Sequence, residues 1–303
     1  MPTKFKITVP GSTSNLGAGF DTLGLALKIY LTAIVTTDSQ QTEIKTTGHG
    51  AENVPSDDTN LIYSIYKQGC EFLGVAPRPL KISVENDIPL SRGLGSSGAA
   101  VVCGLVIANE LNEAKLTNQQ IAEMAARIEG HPENVTASCF GGLTISSLKN
   151  DKLNSCKINP PAELKTVVLI PEIEIQTKDA RRLLPEVVPL EKAVANIQRS
   201  SLMVAAMASG CFDLLREAVA DNLHQPFRKR LIPGFDEICE AAYGAGAHAA
   251  FISGSGSGVI ALVSEQAHAV EQAFTDVAAP LEFAATTQIL EIEKEGYKVD
   301  EVE

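Results

Sequence analysis

Residues 89–111 read PLSRGLGSSGAAVVCGLVIANEL: a connector, a cluster of glycine and serine, then an apolar run. Upstream, Leu80 to Glu85 reads as a strand. The stretch from about Ser96 to Leu111 has the length and composition of a buried helix. A strand feeding a glycine-serine turn and then a helix gathers unpaired N–H groups and the positive end of the helix dipole at one point. That is a ready-made anion site. Ser96 and Ser97 add a pair of hydroxyls, and a hydroxyl at a phosphate site can also ligate Mg²⁺. The spacing Gly93-x-Gly95-x-x-Gly98 also matches a dinucleotide-binding turn. Against that, the turn is long, and about 20 residues on there is no acid at a strand end to hold a ribose. No lysine follows the last glycine, so this is not a Walker loop. A serine-capped helix start is the plain alternative, and these residues alone leave it open.

Two further glycine loops lie far from this one in sequence. Pro10 to Asp21 reads PGSTSNLGAGFD between two extended regions, Lys4 to Val9 and Thr22 to Thr37. Ser253 to Gly258 reads SGSGSG between the strands Ala249 to Ser253 and Val259 to Val263, which excludes a flexible linker. Glycine lets backbone N–H groups approach a ligand closely, and Asn15 and Asp21 bring polar ends. Taken singly, a decorated turn and a tight hairpin would read the same way.

Around the loops, short strands and helices alternate. Thr42 to Thr46 reads as a strand, and Asp57-Asp58-Thr59 supplies caps for a helix from about Asn60 to Leu73. Thr117 and Gln120 form a capping box for a helix to about Ile128, followed by a short helix Asn134 to Phe140 and a strand Leu143 to Ser147. Residues 149–163 are polar and contain Pro160-Pro161, which predicts a division into 1–155 and 156–303. The second part reads as a strand at Lys165 to Ile170 and helices around 178–184, 190–208, 212–221 and 234–243. After the third loop come a helix over 266–277 and a strand over 284–292.

The chain has 303 residues, 45% of them hydrophobic, and a net charge of −12. This suffices for a full core in two domains or one large one, and the acidic balance disfavours nucleic acid as a partner. The longest apolar stretch, Gly98 to Ala108, is far shorter than the ~20 residues of a membrane span. Met1-Pro2-Thr3-Lys4-Phe5 carries no signal-peptide pattern, and the six cysteines stand singly. The reading is a cytoplasmic protein with no membrane partner.

Several side chains are candidates for chemistry. His131, in Glu129-Gly130-His131-Pro132-Glu133-Asn134, could serve as a base, although a lone histidine beside proline is more often a structural hydrogen-bonder. Glu123 and Glu129 lie on or near the predicted helix, where a solvated carboxylate is the default. Glu123 rises above that default only if it meets the serines of the second loop. Arg181-Arg182 and Arg228-Lys229-Arg230 stand out in an acidic chain. Two guanidiniums are what bidentate capture of a small carboxylate needs. No G-x-S-x-G elbow is present.

In this order and spacing, the three loops resemble the GHMP small-molecule kinases. The homoserine-phosphorylating branch is resembled more closely still. The carriers are Asn15 to Gly24, Glu129 to Val135 followed by Gly141-Gly142, Thr177-x-x-Ala180-Arg181-x-x-Leu184-Pro185, Gln225 to Arg228, and Leu231 to Phe235. Together they span nearly the whole chain. The resemblance implies an α+β, two-domain fold. Its N-terminal domain is like ribosomal protein S5 domain 2, with a left-handed crossover that general rules count as rare, and its C-terminal layer is ferredoxin-like. It implies ATP-dependent phosphorylation of the side-chain hydroxyl of L-homoserine, on the way to threonine, and a homodimer for which the sequence offers no defensible interface.

Carried over by residue, the resemblance implies that Pro89, Leu90, Ser91, Arg92, Gly93, Leu94, Gly95, Ser96, Ser97, Gly98 and Ala99 wrap the ATP phosphates. It places Asn60 near the adenine, and Ser97 with Glu123 on Mg²⁺. Asn15, Asp21, His131, Asn134, Thr177, Arg181 and Arg228 line the homoserine site, with Asp21 suited to the ammonium and the arginines to the carboxylate. Mevalonate-type members have an Asp where this chain has Asn134. An amide cannot act as a base, so the implied catalysis is alignment plus Mg²⁺-assisted charge neutralisation. Glu133 stands where the family usually has Asp, and Gly98 where many members have Ala. A GHMP kinase acting on an isoprenoid alcohol, a dinucleotide-dependent oxidoreductase and a non-catalytic relative are the competing readings.

Overall fold

The computed structural model describes residues 4–302. The leader reading, which concerns the first residues, falls largely outside that range. In chain order the elements are β1 (Lys4–Ser14), β2 (Leu23–Thr36), β3 (Glu43–Gly48), α1 (Leu61–Phe72), β4 (Lys81–Asn86), α2 (Ser96–Leu111), α3 (Asn118–Glu129), α4 (Glu133–Phe140), β5 (Leu143–Lys149) and β6 (Lys152–Ile158). The second half contains β7 (Lys165–Pro171), α5 (Thr177–Arg182), α6 (Leu190–Ser209), α7 (Leu215–Ala218), α8 (Gln225–Arg228), α9 (Phe235–Gly244), β8 (Ala249–Ile252), β9 (Val259–Val263), α10 (Ala267–Ala278), β10 (Ala285–Glu291) and β11 (Lys298–Glu301).

The first sheet runs β11-β1-β2-β4-β3, with β5 also paired to β2 and β6 paired to β5. Only the β3–β4 pair is parallel, and α1 lies in the connection between its two strands. Helix α2 is buried nearly all round, as expected of a helix apolar on every side. It packs against α1, α3, α4 and β1. The predicted capping box of α3 is formed, Thr117 accepting from Gln120 N while the Gln120 side chain takes the Thr117 N–H.

The second sheet, β10-β7-β9-β8, is antiparallel throughout. Alternate residues of its strands serve two cores. Val167, Leu169, Ile252 and Val259 face α9 and α10, through Ile238, Val270 and Phe274. Val168, Phe251, Ile260 and Leu262 belong to the large core shared with the first half and with Met203 and Met207 of α6. A strand buried on both faces reads as the continuous apolar run seen at residues 167–170.

The structure departs from expectation at three points. The polar stretch 149–163 is not all linker: β6 pairs with β5 along its length, so the division expected at 155/156 falls inside a strand. The helix expected over 212–221 is a 3₁₀ turn followed by α7, ending before Val219. Strand β11, which no periodicity announces, returns from the C-terminus to pair with β1. Among the described residues no helix is long and apolar enough to cross a membrane.

Candidate active site

The three glycine loops meet. Ser12 N donates to Leu94 O at 3.0 Å, and Gly258 N donates to Arg92 O at 3.1 Å. Ser253 Oγ donates to Gly93 O at 2.6 Å and lies 2.9 Å from the Thr13 hydroxyl, and Asn15 Nδ2 donates to Gly254 O at 2.9 Å. The approach is close enough to demand glycine. Gly93 has φ +74°, and a Cβ there would sit 1.9 Å from Ser253 O; at Gly95, also φ +74°, it would sit 2.2 Å from Ser12 Oγ.

The joined loops form one wall of a cleft of about 130 Å³. Pro89, Ser91, Gly93, Leu94, Gly95, Ser96, Ser97 and Gly98 line it at the start of α2. Gly95 is the N-cap and offers no side-chain cap, so the first N–H groups of this long helix remain available to an anion. Leu90, Arg92 and Ala99 belong to the loop without lining the cleft: Ala99 is buried, and Arg92 reaches Leu90 O and Glu174.

Ser97 Oγ donates to Glu129 Oε1 at 2.7 Å. The expected partner, Glu123, is elsewhere. It accepts from Arg127 at 2.6 Å and from Leu153 N at 3.1 Å, tying α3 to β6. The residue missed is Glu129, whose signal was its place at the head of the Glu129–Val135 motif. Asn60, expected near the adenine, caps α1 by accepting from Ile62 N at 3.0 Å and donates to Pro55 O at 2.8 Å; it does not line this cleft.

At the other end of the cleft lie Asn15, Asp21, His131, Asn134, Thr177, Arg181 and Arg228, all seven expected substrate-site residues, together with Ser14, Glu133, Gly254 and Ser255. Asn15 and Asp21 have left-handed backbones, φ 71° and 51°, which Asn and Asp tolerate better than most residues. Asn15 Oδ1 accepts from Asp21 N at 3.0 Å and so holds the turn. Arg181 grips Asp21 in a bidentate pair at 2.8 and 2.6 Å, which raises its already high pKa. Arg228 is 2% exposed, and its Nη1 donates to Gly254 O at 3.0 Å. Burial, helped by the charge of Arg181, pushes its pKa down to about 10, which leaves it charged at neutral pH.

Phe20 keeps the two guanidiniums compatible, its ring centroid 5.4 Å from Arg181 and 5.1 Å from Arg228. His224 stacks on the same ring at 5.1 Å, and its Nε2 donates to Gly17 O at 2.8 Å.

Asn134 is held from three sides. Its Oδ1 accepts from Ser12 Oγ at 3.0 Å, while Nδ2 donates to Ser14 Oγ at 3.0 Å and to Glu133 Oε1 at 3.1 Å. His131 lies between Glu133, 3.3 Å from Nδ1, and Glu129, 3.8 Å from Nε2. Burial pulls its pKa down, but the two carboxylates outweigh it and the net shift is upward. The cleft thus joins the uncapped start of α2 and a hydroxyl–carboxylate pair to a pocket lined by Asp21, Glu133, Arg181 and Arg228.

Family signatures match on both sides of this cleft: GHMP kinases N terminal domain over residues 60–142 and GHMP kinases C terminal over 203–279. Fold and cleft together define a small-molecule kinase of the GHMP class. Homoserine kinase of Caldicellulosiruptor bescii is 40% identical over 299 residues, 98% of this chain and 97% of its own. That of Aquifex aeolicus is 38% identical, with 97% and 99% covered. The crystal structure of homoserine kinase from Cytophaga hutchinsonii superposes with a TM-score of 0.88 at 29% identity over 98% of both chains. The chain belongs to the homoserine kinase family.

Proposed function

We propose that this protein transfers the γ-phosphoryl group of ATP to the side-chain hydroxyl of L-homoserine, as a cytoplasmic enzyme of threonine biosynthesis. One observation carries the reading: the open start of α2, the Ser97–Glu129 pair and the guanidiniums of Arg181 and Arg228 line a single cleft. The backbone amides around Gly95 to Gly98 receive the phosphates, and Arg181 and Arg228 hold the amino-acid carboxylate. Asn134, its amide oriented by Ser12, Ser14 and Glu133, aligns the hydroxyl. An amide takes no proton, so alignment and charge stabilisation supply the rate, which suits a loose phosphoryl-transfer transition state.

Ser97 and Glu129 offer hard oxygen donors beside the phosphate loop, and they fit Mg²⁺, which commonly uses one or two protein oxygens plus substrate phosphates. When bound there, the ion neutralises developing phosphate charge. A homodimer is supported by an exposed apolar row leading into and along α6, Val187, Leu190, Val194 and Ile197, spaced by three and four residues.

The deciding experiment is a coupled ADP-release assay against homoserine, mevalonate, galactose and serine. Turnover with homoserine alone is expected. Preferential turnover of mevalonate or galactose would reassign the pocket.

A further inference from the structure

His224 is fully buried and does not line the cleft, yet it touches both the first loop and an arginine that does. Its ring stacks on Phe20, and Nε2 donates to Gly17 O at 2.8 Å. Burial disfavours the doubly protonated ring, so only one nitrogen carries hydrogen. The hydrogen bond made by one nitrogen fixes the role of the other. With the hydrogen on Nε2, Nδ1 is an acceptor, and it faces Arg228 Nη1 at 3.4 Å.

A second buried side chain anchors this ring. Both oxygens of Asp221 are filled: Oδ1 accepts from Asn196 Nδ2 at 2.8 Å and Leu223 N at 2.9 Å, and Oδ2 from His224 N at 2.8 Å and Gln225 N at 2.7 Å. A buried carboxylate is costly unless donors surround it, and here four do. Asn196 in turn accepts from Asn222 N at 2.8 Å and donates to Ala18 O at 3.2 Å. Residues 221–225 are thereby held against the first loop, with the ring of His224 between that loop and Arg228.

Arg228 has little else to fix it. Among the described residues, both of its side-chain hydrogen bonds are made at Nη1, to Gly254 O at 3.0 Å and to His224 Nδ1 at 3.4 Å, while its Nε makes none. We propose that His224 is a positioning residue for phosphoryl transfer: held in its Nε2–H form by Gly17 and anchored through Asp221, it presents at Nδ1 the acceptor that sets where the Arg228 guanidinium sits. This rests on the reading of the cleft as a homoserine site. A ring that merely filled space behind Phe20 would need no particular nitrogen on either side, and that difference can be measured.

The test is initial-rate kinetics on the full chain as wild type, His224→Asn and His224→Gln, each also combined with Arg228→Ala. Asparagine can put its carbonyl oxygen near the place of Nδ1, whereas glutamine reaches toward Gly17 and leaves Arg228 without that acceptor. His224→Gln should raise KM for homoserine by roughly 5- to 30-fold, the loss of one hydrogen bond to a charged group, with KM for ATP nearly unchanged. His224→Asn should recover most of that loss. With Arg228→Ala present, His224→Gln should raise KM for homoserine no further. Equal increases in the Asn and Gln variants overturn the proposal, as does a Gln effect that persists in full without Arg228, or one shared alike by both substrates. Should the Gln variant not fold, Asp221→Asn, which loosens the anchor of the ring, decides by the same cycle with Arg228→Ala. Nitrogen NMR of the wild-type imidazole, recorded without substrate, should show the Nε2–H form, and an Nδ1–H form overturns the proposal. If wild type turns over no homoserine while the ring is in the Nε2–H form, it is the reading of the cleft that fails.

Discussion

Six residues separate Glu123 from Glu129 on α3, and the separation decides which of them meets the phosphate loop. They are about 9 Å apart along the axis and about 120° apart around it. Glu129 ends the helix facing Ser97, while Glu123 turns toward Arg127 and β6. Glu129→Gln should therefore weaken the apparent Mg²⁺ affinity by roughly tenfold or more, the size of a lost charged contact, in a metal titration of ADP release. Glu123→Gln should leave that titration unchanged and lower only the melting temperature. Arg181→Ala should raise KM for homoserine by roughly 10- to 100-fold with a smaller change in KM for ATP. An unaltered KM would remove Arg181 from the substrate contact. Two carboxylates on one helix look alike in sequence, since only the packing of α3 against the start of α2 tells them apart.

Among the elements, the interlock of the three loops matters most. The first loop closes the β1–β2 connection and the third joins β8 to β9, so the hydrogen bonds of the second loop cross between the two sheets. Gly93 is the tightest point of contact between the second and third. Gly93→Ala would place a methyl against the Ser253 carbonyl and a non-glycine residue at positive φ. Such a change is expected to lower stability by about 1–3 kcal/mol and to raise KM for ATP, as measured by denaturant unfolding and initial rates. Each loop was legible as glycine-rich, but its partner was not, because such hydrogen bonds join residues some 80 to 240 positions apart.

At the scale of the molecule, a buried histidine links substrate pocket and stability. The His224 side chain is fully buried, and burial, aided by the charge of Arg228, lowers its pKa below the usual histidine value. The unfolded chain takes up this proton near pH 6.5, the native chain only at lower pH, so stability falls as pH drops below about 6.5. His224→Asn is expected to lose less stability than wild type between pH 7.5 and 5.5, measured as the change in unfolding free energy. Equal losses would show that His224 does not contribute. The first sheet is completed by β11 from the far end of the chain, so neither half is a closed unit.

Local chemistry in the sequence determined much of this protein: the apolar helix behind the glycine-serine turn, the capping box of α3 and the strands around each loop, whereas the residues that line the cleft were implied by the family resemblance. These features depend on residues within a turn or two of one another, where periodicity and capping act. Tertiary structure alone decided which glutamate faces Ser97, that Asn60 serves α1, that β6 and β11 complete a sheet, and that His224 faces Arg228. Those outcomes depend on contacts between distant segments, set by how two cores pack on the faces of two sheets rather than by any local pattern.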